Sequence, residues 1–320
     1  MHLIVPFAGT VSQAGQQALQ SLALPQLEKL LARLSPGPAL GSDEFSLNAP
    51  HEQALAQAWG WGAGPAALTD LADSALPFAA ARAAELGLQA SPENHAAWGL
   101  LTPVHLHVGS EGISLTEPEA LALDEAGSRE LLEIVRPLFE SEGFTLHWAA
   151  PLQWLASHPL FEAMPSASLD RVIGRNVNPW LPDLRAARLV RRLQNEVQMV
   201  LYTHAVNDRR EAAGLPTVNS FWLSGCGRLP DNAAAQREPA RVDTRLRGPA
   251  LSEDWAAWCE AWHALDAGPV AALASDPASA RLTLCGERCA VTLAHQHRPW
   301  WQQLAARWRQ PALHGLLGGL

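Results

Sequence analysis

The run His2 to Phe7, His-Leu-Ile-Val-Pro-Phe, is almost wholly apolar and alternates poorly. That pattern marks a strand buried on both faces, which constrains the chain to a sheet covered on two sides. Residues 12–34 follow as helix, interrupted near Pro25, with Leu24, Leu27, Leu30, Leu31 and Leu34 at helical spacing. A Pro/Gly/Ser-rich stretch over 36–48 reads as loop. Ala-rich helices are expected at 51–59, 66–73 and 77–87.

Beyond residue 100 the texture changes. Leu101 to His107 reads as a strand, Ser110-Glu111-Gly112 as a turn and Ile113 to Leu115 as the partner of a hairpin. Asp124 to Glu140 is expected as a helix carrying Leu131, Leu132, Val135 and Phe139. Strands are expected at Phe144 to Trp148 and Gln153 to Ala156, and a turn at Pro179 to Pro182. A long helix then spans Ala186 to Ala213, with a strand from Thr217 to Leu223. Helices near 253–264 and 299–309 bracket two short strands, 281–285 and 289–294. No internal repeat is seen. Strands separated by helices throughout make α/β the expected class.

The bulk numbers narrow the functions. At 320 residues there is room for two domains or one core with an inserted lobe. A net charge of −9 counts against a nucleic-acid binder that relies on a global positive field. One lysine, Lys29, stands beside 22 arginines. Cationic contacts are therefore almost all planar guanidinium, suited to phosphate or carboxylate. Cys226, Cys259, Cys285 and Cys289 fit a reduced cytosolic protein better than a disulfide framework. Cys285 and Cys289 lack the neighbouring ligands that structural zinc needs. The apolar start is short and has no basic flank, and no stretch approaches a membrane span, so a cytoplasmic location is expected.

The segment from His204 to Gly227 concentrates chemistry. It ends a helical pattern, passes a Gly-Leu-Pro turn, enters a β-type run and finishes in Ser-Gly-Cys-Gly. There a backbone can bend tightly or approach a ligand. The order of hairpin, acidic helix, strand, long helix and this segment resembles the substrate lobe of archaeal-type, cofactor-independent phosphoglycerate mutases. The motif is carried by His204, Val206, Asn207, Arg210, Gly214, Pro216, Asn219, Trp222, Gly225 and Gly227, and the similarity reaches back to Leu101. The whole chain, including LPQLEKLLARL and RPWWQQL, is also similar to bacterial RpfE-type regulatory proteins.

The resemblance implies an alkaline-phosphatase-like α/β sheet flanked by helices, built from residues 1–98 and 228–320. Residues 99–227 would form an inserted smaller α+β lobe. It implies a ligand site between the lobes, lined by His204, Asn207, Arg210, Asn219, Trp222, Gly225 and Gly227, for a phosphorylated or carboxylated small molecule. It also implies two divalent metals, manganese or zinc, and a phosphorylated serine. At those positions the chain departs from the family. Where the family has Pro-Asp-Gly after the first strand, this chain has Pro-Phe7-Ala-Gly. Beyond Gly227 stand Asp231, Asp243, Asp254, Asp266 and Asp276, with no Asp-His pair. Ser42, in Gly41-Ser42-Asp43, is either a remnant of the serine segment or an ordinary polar turn.

Other constellations have a bland reading beside the sharp one. His105-x-His107 and His295-x-His297 could form a four-histidine metal site or simply polar strand faces. Arg185, Arg188, Arg191 and Arg192 are either a phosphate-contacting stripe or a solvated helix face paired with Asp183 or Glu196. Asn195, Gln198 and Tyr202 share one face and either brace the lobe or touch a ligand. Trp255, Trp258 and Trp262, at helical spacing, favour core packing or a protein interface.

Three functions follow. The first is a metal-free regulatory or ligand-sensing protein with no cofactor and with a small-molecule or protein partner. The second is an active metal-dependent phosphotransferase, mutase or phosphatase using manganese or zinc, Ser42 and the histidine pairs. The third is a regulator contacting DNA through the Arg185–Arg192 helix; the acidic balance and the absence of a helix-turn-helix motif weigh against nucleic acid.

Overall fold

The structure, a computed structural model, describes residues 1–61, 71–88, 97–110, 112–181, 185–230, 238–295 and 313–320. In chain order the elements begin β1 (His2–Val5), α1 (Gln13–Gln20), α2 (Pro25–Leu31), β2 (Ser35–Gly41), α3 (Pro50–Ala58) and α4 (Phe78–Glu85). They continue β3 (Ala97–Val104), β4 (Leu106–Gly109), β5 (Gly112–Leu115), α5 (Glu125–Glu140), β6 (Thr145–Ala150) and β7 (Gln153–Ser157). Next come α6 (Leu169–Val172), α7 (Arg185–Tyr202), α8 (Ala205–Ala212), β8 (Ser220–Arg228) and β9 (Ala240–Val242). The last are α9 (Arg247–Leu251), α10 (Trp255–Leu265), α11 (Ala271–Ser275), β10 (Arg281–Cys285), β11 (Cys289–Ala294) and α12 (Leu313–Leu317). The class is mixed α/β. Two compact units are formed, one from Met1–Glu44, Ala49–Ala72 and Asn232–Leu320, the other from Phe45–Asn48 and Asp73–Asp231. They are comparable in length.

In the first unit five strands lie in the order β2-β11-β10-β1-β9. β1 runs parallel to both β10 and β9, so the two ends of the chain share one sheet. One face packs Leu3, Val5, Leu282, Leu284 and Leu293 against leucines of α1 and α2 and tryptophans of α10. The other packs Ile4, Cys285, Ala290 and Leu40 against Ala54 of α3. Coverage of both faces is why β1 reads as continuous apolar sequence. Pro25 begins α2, whose first amides are capped from afar: both Asp266 carboxylate oxygens accept, from Gln26 N at 3.1 Å and Leu27 N at 2.7 Å.

Residues 35–41, expected as loop, form strand β2. Pro36 and Pro38 are tolerated because β2 is an edge strand, with one side free of ladder bonds. β1 also stops sooner than expected, at Val5, because Phe7 adopts a left-handed backbone with φ 56°.

The second unit centres on an antiparallel sheet, β6-β7-β3-β8. Leu131, Leu132, Val135 and Phe139 of α5 and Leu193, Val197 and Leu201 of α7 form its larger core. Asp124 caps α5 by accepting from Gly127 N at 2.7 Å. On the other side Ala79, Ala80 and Ala83 of α4 meet Trp98 and Leu155. The long helix expected over 186–213 is broken into α7 and α8. His204 interrupts it, its Nδ1 accepting from Val206 N at 3.2 Å as the cap of α8. The strand expected over 101–107 is likewise divided, β3 ending at Val104 and β4 starting at Leu106. The expected helices at 66–73 and 299–309 fall largely or wholly outside the described residues.

Candidate functional site

The polar groups of the His204–Gly227 segment are spent on the chain itself. Asn207, 6% exposed, donates from Nδ2 to the carbonyls of Leu201 (2.9 Å) and Val218 (2.8 Å). Its Oδ1 accepts from Val218 N at 2.9 Å. Buried Arg210 donates from Nε to the Pro216 carbonyl (2.8 Å) and from Nη2 to the Leu121 carbonyl. Burial lowers the pKa of this guanidinium while Asp124 acts the other way. Asn219 clasps one residue in both directions, accepting from Leu106 N (2.8 Å) and donating to Leu106 O (2.9 Å). Trp222 Nε1 donates to the Ala167 carbonyl at 2.9 Å. Arg209 pairs with Glu130 at 2.5 Å.

The Ser-Gly-Cys-Gly end does allow a close approach, but to the chain's own backbone. Gly225 has φ 62°, and a Cβ there would lie 3.2 Å from Ala79 N; at Gly227, φ 145°, it would lie 3.0 Å from Pro77 Cβ. Missing side chains let the start of α4 sit against β8. Cys226 between them is fully buried, and desolvation pushes its thiol up to about 12, which makes it inert.

In a sheet with parallel strands, ligands usually bind beyond the carboxyl ends. Here β1, β9 and β10 end at Val5, Val242 and Cys285. Phe7 follows β1; its ring lies 6.1 Å from that of His51, and its carbonyl accepts from Trp258 Nε1 at 2.9 Å. Asp243 follows β9, where Arg245 (3.0 Å) and Arg241 (3.7 Å) hold its Oδ2. Gly286 follows β10, and a Cβ there would lie 2.5 Å from the backbone of Leu320. A Cβ at Gly9 would come closer still, to the Leu317 carbonyl oxygen. Leu317 and Leu320 are 0% and 4% exposed, so this edge is filled with apolar matter.

Ser42 follows β2 on the same edge, because β2 runs in the direction of β1. It stands three strand spacings from Phe7, about 14 Å. Both its N (2.8 Å) and Oγ (3.3 Å) donate to the Arg288 carbonyl. The remaining aspartates are also occupied: Asp254 caps α10 by accepting from Ala257 N at 3.0 Å, Asp266 caps α2, and Asp276 accepts from Ser279 Oγ at 2.5 Å. Asp231 lies outside the described residues. Two-metal chemistry needs several carboxylate or imidazole donors converging on one point. The residues present do not fit that demand, and among the described residues no group of three metal-capable side chains occurs.

The histidine pairs belong to different units. His105 Nδ1 donates to the Thr217 carbonyl at 2.9 Å, and His107 is exposed on β4. His295 is exposed after β11, and His297 lies outside the described residues. On α7, Arg192 pairs with Glu142 (2.5 Å) and Glu196 (3.6 Å), and Arg191 donates to the Leu181 carbonyl at 3.2 Å. Asn195 and Gln198 are exposed and Tyr202 is 82% exposed; the bracing amide of this helix is Gln194, which donates to the Phe221 carbonyl at 3.0 Å. Trp258 and Trp262 are wholly buried and meet edge to face, with Trp255 edge-on to Trp258.

Sequence reasoning missed one place. A cavity of about 750 Å³ opens in the first unit on the sheet face covered by α3, from the amino edge at His2 and Arg281 outward along the edge strand β2 as far as Gly41. His2, Arg281, Ala294 and Ser35, which stand level across four strands, all line it. Thr292 lines it one pleat further on. The only trace in the sequence is a histidine and two threonines set among apolar strand residues.

No family model matches the chain, and no curated protein does. Among solved structures, the PH0037 protein of Pyrococcus horikoshii aligns with 92% of this chain and 86% of its own, at 12% identity and a TM-score of 0.47. The cofactor-independent phosphoglycerate mutase of Thermoplasma acidophilum aligns with 93% of this chain and 90% of its own, at 14% identity and a TM-score of 0.36. Both likenesses are distant.

Proposed function

We propose that this chain is a regulatory or ligand-sensing protein on an alkaline-phosphatase-like scaffold, resembling the RpfE-type proteins and working without catalytic metals. The observation that carries the reading is the filled carboxyl edge: Phe7, Leu317 and Leu320 occupy it, and Asp243 is neutralised by two arginines. Phosphoryl transfer depends on charge stabilisation at the reacting group, and an apolar edge supplies none. The partner expected on this reading is a small carboxylated or phosphorylated molecule, with a protein as the downstream target. The test is metal analysis of purified protein together with turnover assays on phosphoglycerate and a chromogenic phosphate ester. Stoichiometric manganese or zinc, with turnover abolished by Ser42→Ala, would overturn it.

One observation favours an active metal-dependent phosphotransferase instead: Ser42 lies on the same edge as Phe7. That reading requires chelators to stop activity and His105→Ala to lower metal content. Absence of turnover across phosphorylated sugars and acids would remove it.

A further inference from the structure

The cavity at the amino edge carries a line of hydrogen bonds across three strands. His2 Nε2 lies 2.8 Å from Thr283 Oγ1, which lies 2.9 Å from Thr292 Oγ1. All three residues sit on the face that α3 covers, since His2 alternates with Leu3, and Thr283 with Leu282 and Leu284, which face the opposite core. Thr283 is completely buried and His2 is 5% exposed. The buried Thr283 side chain has these two partners among the described residues, so its one proton goes to one of them and it accepts from the other.

The direction of the line is decided at His2 Nδ1, a buried atom with no partner among the described residues. If Thr283 donated to Nε2, the imidazole proton would sit on Nδ1 as an orphaned buried N–H, the rarer and costlier defect. In the reverse direction His2 Nε2 donates to Thr283 and Thr283 donates to Thr292. The Thr292 hydroxyl is then left with a proton to give, and Thr292 forms part of the cavity wall. Burial, then the charge of Arg281, lowers His2 to about 4, so the imidazole stays neutral and the line keeps one direction near neutral pH.

Arg281 adds charge to that donor. Its guanidinium reaches Glu238 with one nitrogen, at 2.5 Å, and has further N–H groups to offer. The Met1 ammonium, whose charge also bears on His2, stands near it, and Glu238 offsets one of these two cations. A dianion would therefore be under-compensated here, whereas a single carboxylate is matched. Apart from Ser35 and Gln57, the remaining wall is small and apolar, with Pro38, Ala39, Leu40, Ala54 and Ala58. A volume of about 750 Å³ falls in the range of small-ligand sites.

We infer that this cavity binds a small monocarboxylic acid with an aliphatic body, its carboxylate held by Arg281 and the Thr292 hydroxyl. The use of such a site rests on the ligand-sensing reading; its existence does not, and it would stand if the protein proved to carry metals. The test titrates the full chain with hexanoate, hexanol and hexyl phosphate, reading affinity by calorimetry and position by amide NMR shifts. Hexanoate binds saturably and shifts the Thr292 and Arg281 amides. Arg281→Met weakens it about tenfold or more and Thr292→Val by a smaller factor, as for hydrogen bonds to a charged group. Both variants alter partly exposed strand residues, and their melting curves report whether the fold is kept. Hexanol binding as tightly as hexanoate, hexyl phosphate binding more tightly, unchanged affinity in a folded Arg281→Met, or no saturable hexanoate binding would each overturn the assignment.

Discussion

At the carboxyl edge of the five-stranded sheet, Leu317 and Leu320 are packed against glycines that leave no room for a Cβ. At the amino edge of the same sheet, His2, Arg281 and Thr292 border open space. The first edge is where an α/β sheet usually works, and there Ser42, Asp243 and the Phe7 carbonyl are answered from within. The second is seldom used, and it keeps a hydroxyl and the N–H groups of Arg281 that Glu238 does not take. A site is recognised by which donors remain unspent more than by which residue types are present. The His204–Gly227 segment makes the same point: it is rich in donors, and the chain uses them to hold itself together.

The largest expected effect tests the closed edge. Trp258→Ala removes a wholly buried indole and the donor to the Phe7 carbonyl, and should cost about 3–5 kcal/mol in urea unfolding. A loss below about 1 kcal/mol would show that the edge is not packed as described. Next, Asn207→Ala removes two hydrogen bonds to Val218, in the turn between α8 and β8, and one to Leu201 of α7, and should cost about 2–4 kcal/mol. A variant as stable as the parent would free Asn207 for a ligand role.

The third prediction probes the open edge through pH. Folded His2 titrates near 4 against 6.5 when unfolded, so the unfolded chain takes up its proton first as pH falls. The His2 contribution to stability is whole above about pH 6.5, declines towards pH 4 and is gone below. His2 contributes at most about 3 kcal/mol to that decline. His147 and His158, also lowered by burial, add to it in the same sense. The readout is therefore the difference: His2→Phe should flatten part of the slope between pH 6.5 and 4, and an unchanged slope would mean the imidazole is not buried neutral.

The smallest effect compares the two edges directly. A Cβ at Gly286 would fall 2.5 Å from the Leu320 backbone, whereas at Gly37, beside the cavity, the nearest atom is the Thr292 carbonyl oxygen at 3.3 Å. Gly286→Ala should cost about 1–3 kcal/mol and Gly37→Ala under about 1 kcal/mol, measured by thermal melting. Equal costs would erase the contrast.

Much of the secondary structure is legible locally. The leucine spacing of α2, the apolar stripe of α5 and the β10–β11 pair follow from period and turn residues, which act over a few positions. β2 is not legible, because Pro36 and Pro38 argue for loop until the strand is known to lie at an edge. Nor is the break at His204, since an imidazole capping a helix has no distinctive neighbours in sequence. The amino-edge cavity is the hardest case: His2 and Thr283 stand 281 residues apart, and only the parallel pairing of β1 with β10 brings them together. The family resemblance draws attention to Phe7, but the leucines that close the edge around it look like ordinary helix residues until the chain folds.

The left-handed backbone at Phe7 has one further consequence. Aspartate and asparagine tolerate that conformation better than any residue but glycine, and a large aromatic tolerates it poorly. The main chain at the end of β1 is thus already shaped for an acid. Phe7→Asp would place a carboxylate on a backbone conformation that an acid adopts more readily than an aromatic residue does.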